Sequence, residues 1–326
     1  MELLDCTGQP VSEKSFIIRA TELGQYINCP RNWMFSSHNG FNLESKIRPQ
    51  KLRFGIVWHK GLECLYKDED PFKGMEEEFQ KEEEFSFGLS ATDPDIRAML
   101  DEEKELARLM MEGYLAWRNT EAVPPDRDFT VKYVERRVVV PIPEGSIYLA
   151  VRTDTDLLDK NGGLWVLENK SRGKSSAVDN PPELQLDLQM GLQLLALKES
   201  NPEHVRGAIY NLARKQKPSN RVKSPLFGRH QVFRSQHELD VLRKVLVARG
   251  EEMWEDSKLI KTDPIEAMEK VRYNPQTMGL CQWGCSVKEI CEAINRREDV
   301  RYLVEAKLKP REKTIFETLS EEVDET

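Results

Sequence analysis

Asp154, Glu168 and Lys170 are the residues of this chain whose types and spacing best suit chemistry. The Asp159-Lys160-Asn161-Gly162-Gly163 turn signal folds their segment into a hairpin, with Asp154 on the first strand and the second strand running from Leu164 to Lys170. Side chains alternate along a strand, so Glu168 and Lys170 project from one face while Leu167 and Asn169 project from the other. Leu164-Trp165-Val166-Leu167 is apolar on both faces and reads as a central buried strand. A charged pair at the end of such a strand needs a partner or a purpose. Two carboxylates converging from neighbouring strands make a hard-oxygen site for Mg2+ or Mn2+, with water and a substrate phosphate completing the shell. The lysine would orient the attacking water or neutralise charge developing on the phosphoryl oxygens. That chemistry is phosphodiester hydrolysis. The other reading of the same residues is a surface salt bridge in an ordinary hairpin.

A second chemical grouping lies near the C-terminus. Cys281, Cys285 and Cys291 are packed into CQWGCSVKEIC, a density that points to thiolate ligation of a metal centre. Three thiolates need a fourth ligand, and Cys29, in Cys29-Pro30-Arg31 at the end of a helical segment opened by Thr21-Glu22, is the candidate. Such a site would join both ends of the domain and restrict the unfolded chain strongly. Four thiolates suit an iron–sulfur cluster or zinc, and the uneven three- and five-residue gaps favour the cluster. Reduced, buried cysteines are the other reading, and the one that fits Cys6 and Cys64.

Composition sets the frame. With 326 residues, 39% hydrophobic and 32% charged, the chain is expected to be globular. No apolar run approaches membrane-spanning length and MELLDCTGQPVSEK does not read as a secretion signal, so a cytoplasmic protein with no membrane partner is expected. A net charge of −8 excludes a generally basic nucleic-acid coat but not a local basic channel. Acidic residues concentrate at Glu76-Glu77-Glu78, Glu82-Glu83-Glu84 and the tail from Glu321 to Glu325, as solvated faces do. Against them, Arg214, Lys215, Lys217, Arg221 and Lys223 make one locally basic loop, read as a phosphate-backbone contact or as a solvated loop.

The elements that must position these groups follow from periodicity. Helices are expected over Thr21 to Ser36, Phe54 to Tyr66 and Asp101 to Trp117, then strands over Phe129 to Pro141, Ser146 to Leu158 and Leu164 to Lys170. A helix from Pro182 to Leu197 places Gln185, Gln189 and Gln193 four apart, on one polar stripe. A strand at Gly207 to Leu212 and a helix from Gln236 to Met253 precede the cysteine trio.

These elements in this order resemble the RecB-type branch of the PD-(D/E)XK nuclease superfamily, notably phage-encoded exonucleases and the CRISPR adaptation nucleases that carry an iron–sulfur cluster. The resemblance extends from Cys29 to Cys291. It implies an α/β fold with a restriction-endonuclease-like core, a mixed central sheet flanked by helices, an N-terminal helical region and a C-terminal cysteine cluster. The implied organisation is one nuclease domain over 1–306, with a helical region at 15–120, a catalytic core at 128–235 and the last helix and cysteines at 236–306. An acidic tail of disordered composition at 307–326 follows, a possible contact for a protein partner.

The resemblance also implies roles. Phe54-Gly55-Ile56-Val57-Trp58-His59 is similar to the family's Gly-x-x-x-His motif, and Arg152-Thr153-Asp154 and Glu168-Asn169-Lys170 to its first acid and its E-x-K. His59, Asp154 and Glu168, with the carbonyl of Asn169, would hold Mg2+ or Mn2+, and Lys170 would handle the attacking water. Asp156 shares a face with Asp154 and is the alternative first acid. Gln189 falls on the glutamine of the family's Gln-x-x-x-Tyr helix, which braces the site and contacts DNA, while Gln193 replaces its tyrosine. Cys29, Cys281, Cys285 and Cys291 match the split set that binds a [4Fe-4S] cluster, with zinc the alternative. The implied activity is that of a metal-dependent DNA exonuclease acting on linear ends or single strands in recombination, repair or processing, in a host cytoplasm if phage-encoded. A catalytically silent nucleic-acid-binding or adaptor protein and a structure-specific endonuclease are the alternatives.

Overall fold

The protein is described by a computed structural model covering residues 3–173, 178, 182–201, 204–217, 225–275, 281 and 285–320. Strand β1 (Phe16–Arg19) leads into α1 (Ala20–Asn28) and α2 (Pro30–Ser36), and β2 (Leu43–Ser45) precedes α3 (Gln50–Tyr66). Next come α4 (Pro71–Phe87) and α5 (Pro94–Trp117), each starting with proline behind an aspartate, Asp70 or Asp93, that caps the first free N–H groups. The strands β3 (Phe129–Val134), β4 (Arg137–Ile142), β5 (Ile147–Arg152), β6 (Thr155–Asp159) and β7 (Leu164–Arg172) follow. After them lie α6 (Leu188–Ser200), β8 (Val205–Arg214), β9 (Phe227–Val232) and α7 (Gln236–Thr262).

The central sheet has the order β3-β6-β7-β8-β9, with β7 and β8 parallel and the other neighbours antiparallel. A smaller sheet, β1-β5-β4, stands beside it. Alternation along β7 splits the core in two. Leu164 and Val166 pack with α6 and α7, whereas Trp165 and Leu167 pack with apolar residues of α3 and α5. Glu168 and Lys170 therefore point toward the α6 side. The mixed α/β architecture, a mixed central sheet with helices on both faces, is the expected fold class.

Several boundaries differ from the sequence reading. The expected helix from Thr21 breaks at Cys29, which is extended at φ −162° and ψ 103° ahead of Pro30. The two long expected strands each split, at Glu135-Arg136 and at Thr153-Asp154, so one hairpin serves both sheets. The glutamine helix starts at Leu188 rather than Pro182, because Asp187 caps it and residues 182–186 form a 3-10 turn. Helix α7 continues past Met253 to Thr262. The start of the tail is ordered: β10 (Leu308–Pro310) pairs with β2, and Ile315 and Leu319 bury against Ile17 and Val139. Residues 321–326 lie outside the described residues. No helix among the described residues is long and apolar enough to cross a membrane.

Candidate active site

The break in the hairpin builds the site. Where β3 gives way to β4 and β5 to β6, the Glu135 N–H donates to Asp154 O at 2.8 Å and the Thr153 N–H to Arg136 O at 2.9 Å. Glu135 adopts a left-handed backbone, φ 54°, which a residue with a side chain takes up only at a cost. One ligand atom from each of Glu135, Asp154 and His59 then falls within 4.8 Å of the others, His59 arriving from α3.

Asp154 is buried, lies 3.5 Å from His59 Nδ1 through its Oδ2, and accepts the Asn169 N–H on that same oxygen at 2.7 Å. Glu168 is also buried. Its Oε1 accepts from Gln189 Nε2 and its Oε2 from Gln193 Nε2, each at 3.1 Å. Lys170 Nζ stands 4.0 Å from Glu168 Oε1 but is held by Asp187 Oδ2 at 2.9 Å. Asn169 turns the other way, its Oδ1 accepting from Asn211 Nδ2 at 2.7 Å, and so fixes the strand from behind. Asp156, the alternative first acid, is fully buried and ion-paired to Arg136 at 3.0 Å, whereas Asp154 faces His59.

Electrostatics tune these groups for a cation. Burial, then the neighbouring Asp154 charge, push the Glu168 carboxyl up to about 8 against the pull of Lys170. Burial disfavours charge on His59, but Asp154 and the other nearby acids override it and raise the imidazole to about 9. Burial also lifts Glu135 to about 7 despite its ion pair with Arg152. On Asp154 the His59 charge and the Asn169 N–H outweigh burial and hold the carboxyl below its usual range. Without a metal, near neutral pH, Glu168 and His59 thus keep protons that a cation must displace.

The sign on stability is the same for both groups. Each binds its proton more tightly folded than unfolded, so their contribution is lost as pH rises toward 8 for Glu168 and 9 for His59. Affinity for Mn2+ is expected to rise from pH 7 to 9, with about one to two protons released per ion at pH 7. Calorimetry in buffers of differing ionisation enthalpy checks this; affinity independent of pH would count against the ligand set.

The structure gathers some of the sequence candidates and disperses others. Gln193 is buried and bonded to Glu168 and to Arg152 O, so it braces the carboxylate. Gln185 sits exposed on the 3-10 turn, off the helical stripe. Arg214 is buried with Nη2 donating to Pro225 O at 2.6 Å, and Lys215 Nζ donates to Lys51 O at 3.1 Å, both drawn inward because β8 extends through Arg214. Lys217 is exposed; Arg221 and Lys223 lie outside the described residues. Two residues escaped the sequence reading. Glu135 carried only a faint signal, an acid interrupting a strand pattern, but Asp187 carried a clear one, an aspartate heading a helix.

The cysteines also converge. Burial raises the Cys285 thiol, and the proximity of Cys281, Cys29 and Cys291 raises it further against the Val287 N–H. Arg31, buried as the second residue of α2, donates from Nη1 to Cys291 Sγ at 3.3 Å and to Asn295 Oδ1 at 2.7 Å. No carboxylate of a described residue pairs with it. A buried guanidinium donating to Cys291 Sγ fits an anionic thiolate centre, which would supply a counter-charge. Cys64 is buried against Gly74, as a bystander would be, while Cys6 is exposed rather than buried.

A solved structure titled "Crystal structure of SSO0001" is 13% identical, covers 87% of this chain and 88% of its own, and has a TM-score of 0.35. No curated protein matches the chain. The family profile described as PD-(D/E)XK nuclease superfamily matches residues 19–292, which include every residue of the site just built, and the chain belongs to that superfamily.

Proposed function

We propose that this protein is a metal-dependent DNA exonuclease of the RecB type, acting on linear ends or single strands. The observation that carries the reading is the meeting of His59, Asp154, Glu168 and Lys170 around the central strand β7. Two carboxylates and an imidazole form a donor set for Mg2+ or Mn2+, and the ion, when bound, polarises the scissile phosphate and offsets its developing charge. The Asn169 carbonyl is the fourth candidate ligand, and the Glu135 carboxylate extends the set on the His59 side.

The chain's own groups do the rest. Gln189 and Gln193 each hold one oxygen of Glu168 and keep the carboxylate aimed. Lys170 donates toward the attacking water and aids its deprotonation, its ammonium kept in place by Asp187. Asp154 keeps its negative charge through the Asn169 N–H, which donates to its Oδ2. Degradation of end-labelled linear DNA that requires added Mg2+ or Mn2+ tests the assignment.

The cysteine centre is assigned to a structural [4Fe-4S] cluster held by Cys29, Cys281, Cys285 and Cys291, within a single nuclease domain of a cytoplasmic protein. Arg31 and the uneven ligand spacing support it. Anaerobic purification is expected to give a brown protein containing iron and sulfide. Colourless, zinc-loaded protein would overturn the cluster.

A further inference from the structure

The face of the central sheet that meets α3 and α5 carries Leu167, Ile209 and Phe227, and a polar row crosses it. Asn169, Asn211 and Arg229 are direct cross-strand neighbours on β7, β8 and β9, and all three are buried. The row is hydrogen-bonded along its length. Asn211 Nδ2 donates to Asn169 Oδ1 at 2.7 Å, and Arg229 Nε donates to Asn211 Oδ1 at 3.3 Å. The guanidinium then turns to the helices. Its Nη2 donates to Tyr114 Oη at 3.0 Å, to Tyr66 Oη at 3.4 Å and to the Asp126 carboxylate. Tyr66 Oη and Tyr114 Oη share a further hydrogen bond of 2.7 Å.

Both arms of this network end at the active site. Asn169 lies between Glu168 and Lys170, and its N–H donates to Asp154 Oδ2 at 2.7 Å. Tyr66 closes α3 two turns after His59, on the same side of the helix. One guanidinium thus ties the helix bearing His59 to the strand bearing Glu168 and Lys170. Packing alone does not need such a row. Burying a guanidinium and two amides in an apolar layer is costly, and apolar residues of the same volume would hold the sheet at least as well. What a hydrogen-bonded network adds is a single arrangement. Arginine suits the junction, because its donors leave a rigid fork in fixed directions, here toward β8 and toward the helices.

We propose that Arg229 is a positioning residue for the catalytic cation: through Asn211 and Asn169 it fixes β7, through Tyr66 it fixes α3, and it so sets the spacing of His59 from Asp154 and Glu168. The inference rests on the nuclease reading and deepens it, by naming what governs the choice of ion. Mg2+ demands near-ideal octahedral geometry. The larger Mn2+ tolerates distortion, so a site whose two halves are no longer held in register loses Mg2+ first.

The test uses the full chain, purified with its cysteine centre intact, at a temperature where each variant is folded. Mn2+ affinity is read from the electron paramagnetic resonance of the free ion, and Mg2+ affinity from competition with it. Arg229→Lys keeps a charge for Asp126 but loses the fork, and is expected to weaken Mg2+ binding about tenfold and Mn2+ binding by less. Asn211→Leu cuts only the arm to β7 and should shift the ratio of the two affinities the same way. Tyr66→Phe removes one hydroxyl from the arm to α3 and fills the same space, so it reports even if the other two fail to fold; a smaller shift in the same direction is expected. A lower melting temperature with the ratio unchanged, or a ratio shifted toward Mg2+, overturns the inference and leaves the row purely structural. Cleavage of linear DNA by the wild type with Mn2+ reports separately on the nuclease reading. Its absence overturns that reading, whereas an unchanged ratio with cleavage intact overturns the positioning role alone.

Discussion

Lys170→Ala is expected to lower the rate of DNA cleavage by about a thousandfold while leaving the melting temperature near that of the wild type. The size follows from position. Lys170 stands 4.0 Å from the Glu168 carboxylate, and its partner Asp187 is half-buried on a helix cap rather than in the core. Removing the lysine takes away the group that orients water but leaves no fully buried charge unpaired. Glu168→Ala should match it in activity for a different reason, by removing a metal ligand. The two are separable by binding: Lys170→Ala keeps Mn2+ affinity, and Glu168→Ala loses it. Asp187→Asn still caps α6, since asparagine caps as well as aspartate, but it releases Lys170. Its signature is a lower cleavage rate in a folded protein that still binds Mn2+. Full cleavage by Lys170→Ala, measured in single-turnover assays with Mn2+, would remove the lysine from the mechanism.

Stripping the cysteine centre is the second large perturbation. Cys29 closes α1 while Cys285 and Cys291 lie near the other end of the chain, and contacts such as Asn274 Nδ2 to Ile27 O and Asn28 O, each 3.1 Å, tie the two together. A structural centre there adds its binding free energy to folding. Cys285→Ser, or chelation under reducing conditions, is expected to cost several kcal/mol and lower the melting temperature by roughly 10 °C or more. The loss should be local at first. Hydrogen exchange would quicken in α1, α2 and the helix Lys288–Asn295 before the central sheet opens. A chelated protein that melts where the untreated one does would show that these cysteines are reduced bystanders. Arg31 sharpens the contrast, since without an anionic centre its buried charge has, among the described residues, only amide and carbonyl partners, a thiol and the Tyr273 ring.

What the sequence revealed and what it hid have physical causes. Strand β7 was legible because alternation and an Asn-Gly-Gly turn are local signals, and its facing of Glu168 and Lys170 against Asn169 follows from the pleat alone. The density of cysteines near the C-terminus was a local signal; that Cys29 neighbours Cys285 required the fold. Glu135 was not. Its carboxylate reaches His59 and Asp154 only because the backbone turns left-handed where the hairpin passes from one sheet to the other, a property of pairing between distant strands. The Gln193 contact was hidden for a related reason: helical spacing gave its stripe, but only the packing of α6 over β7 shows that the stripe faces Glu168. Arg214 looked like part of a basic loop because the ladder that extends β8 through it is set by β7 and β9. The tail looked disordered by charge, yet Ile315 and Leu319 find an apolar patch formed by strands far away in sequence. Asp187 stood in plain view as a helix cap; its second role, holding Lys170, required the fold.

The most direct test of the central claim incubates purified protein and Mn2+ with end-labelled linear single- and double-stranded DNA, with closed circular DNA beside them and Glu168→Ala as the control. Loss of linear DNA with the circle intact, abolished in Glu168→Ala, is the predicted result. Linear DNA left whole by folded, metal-replete protein would contradict the account, and so would cleavage that survives in Glu168→Ala.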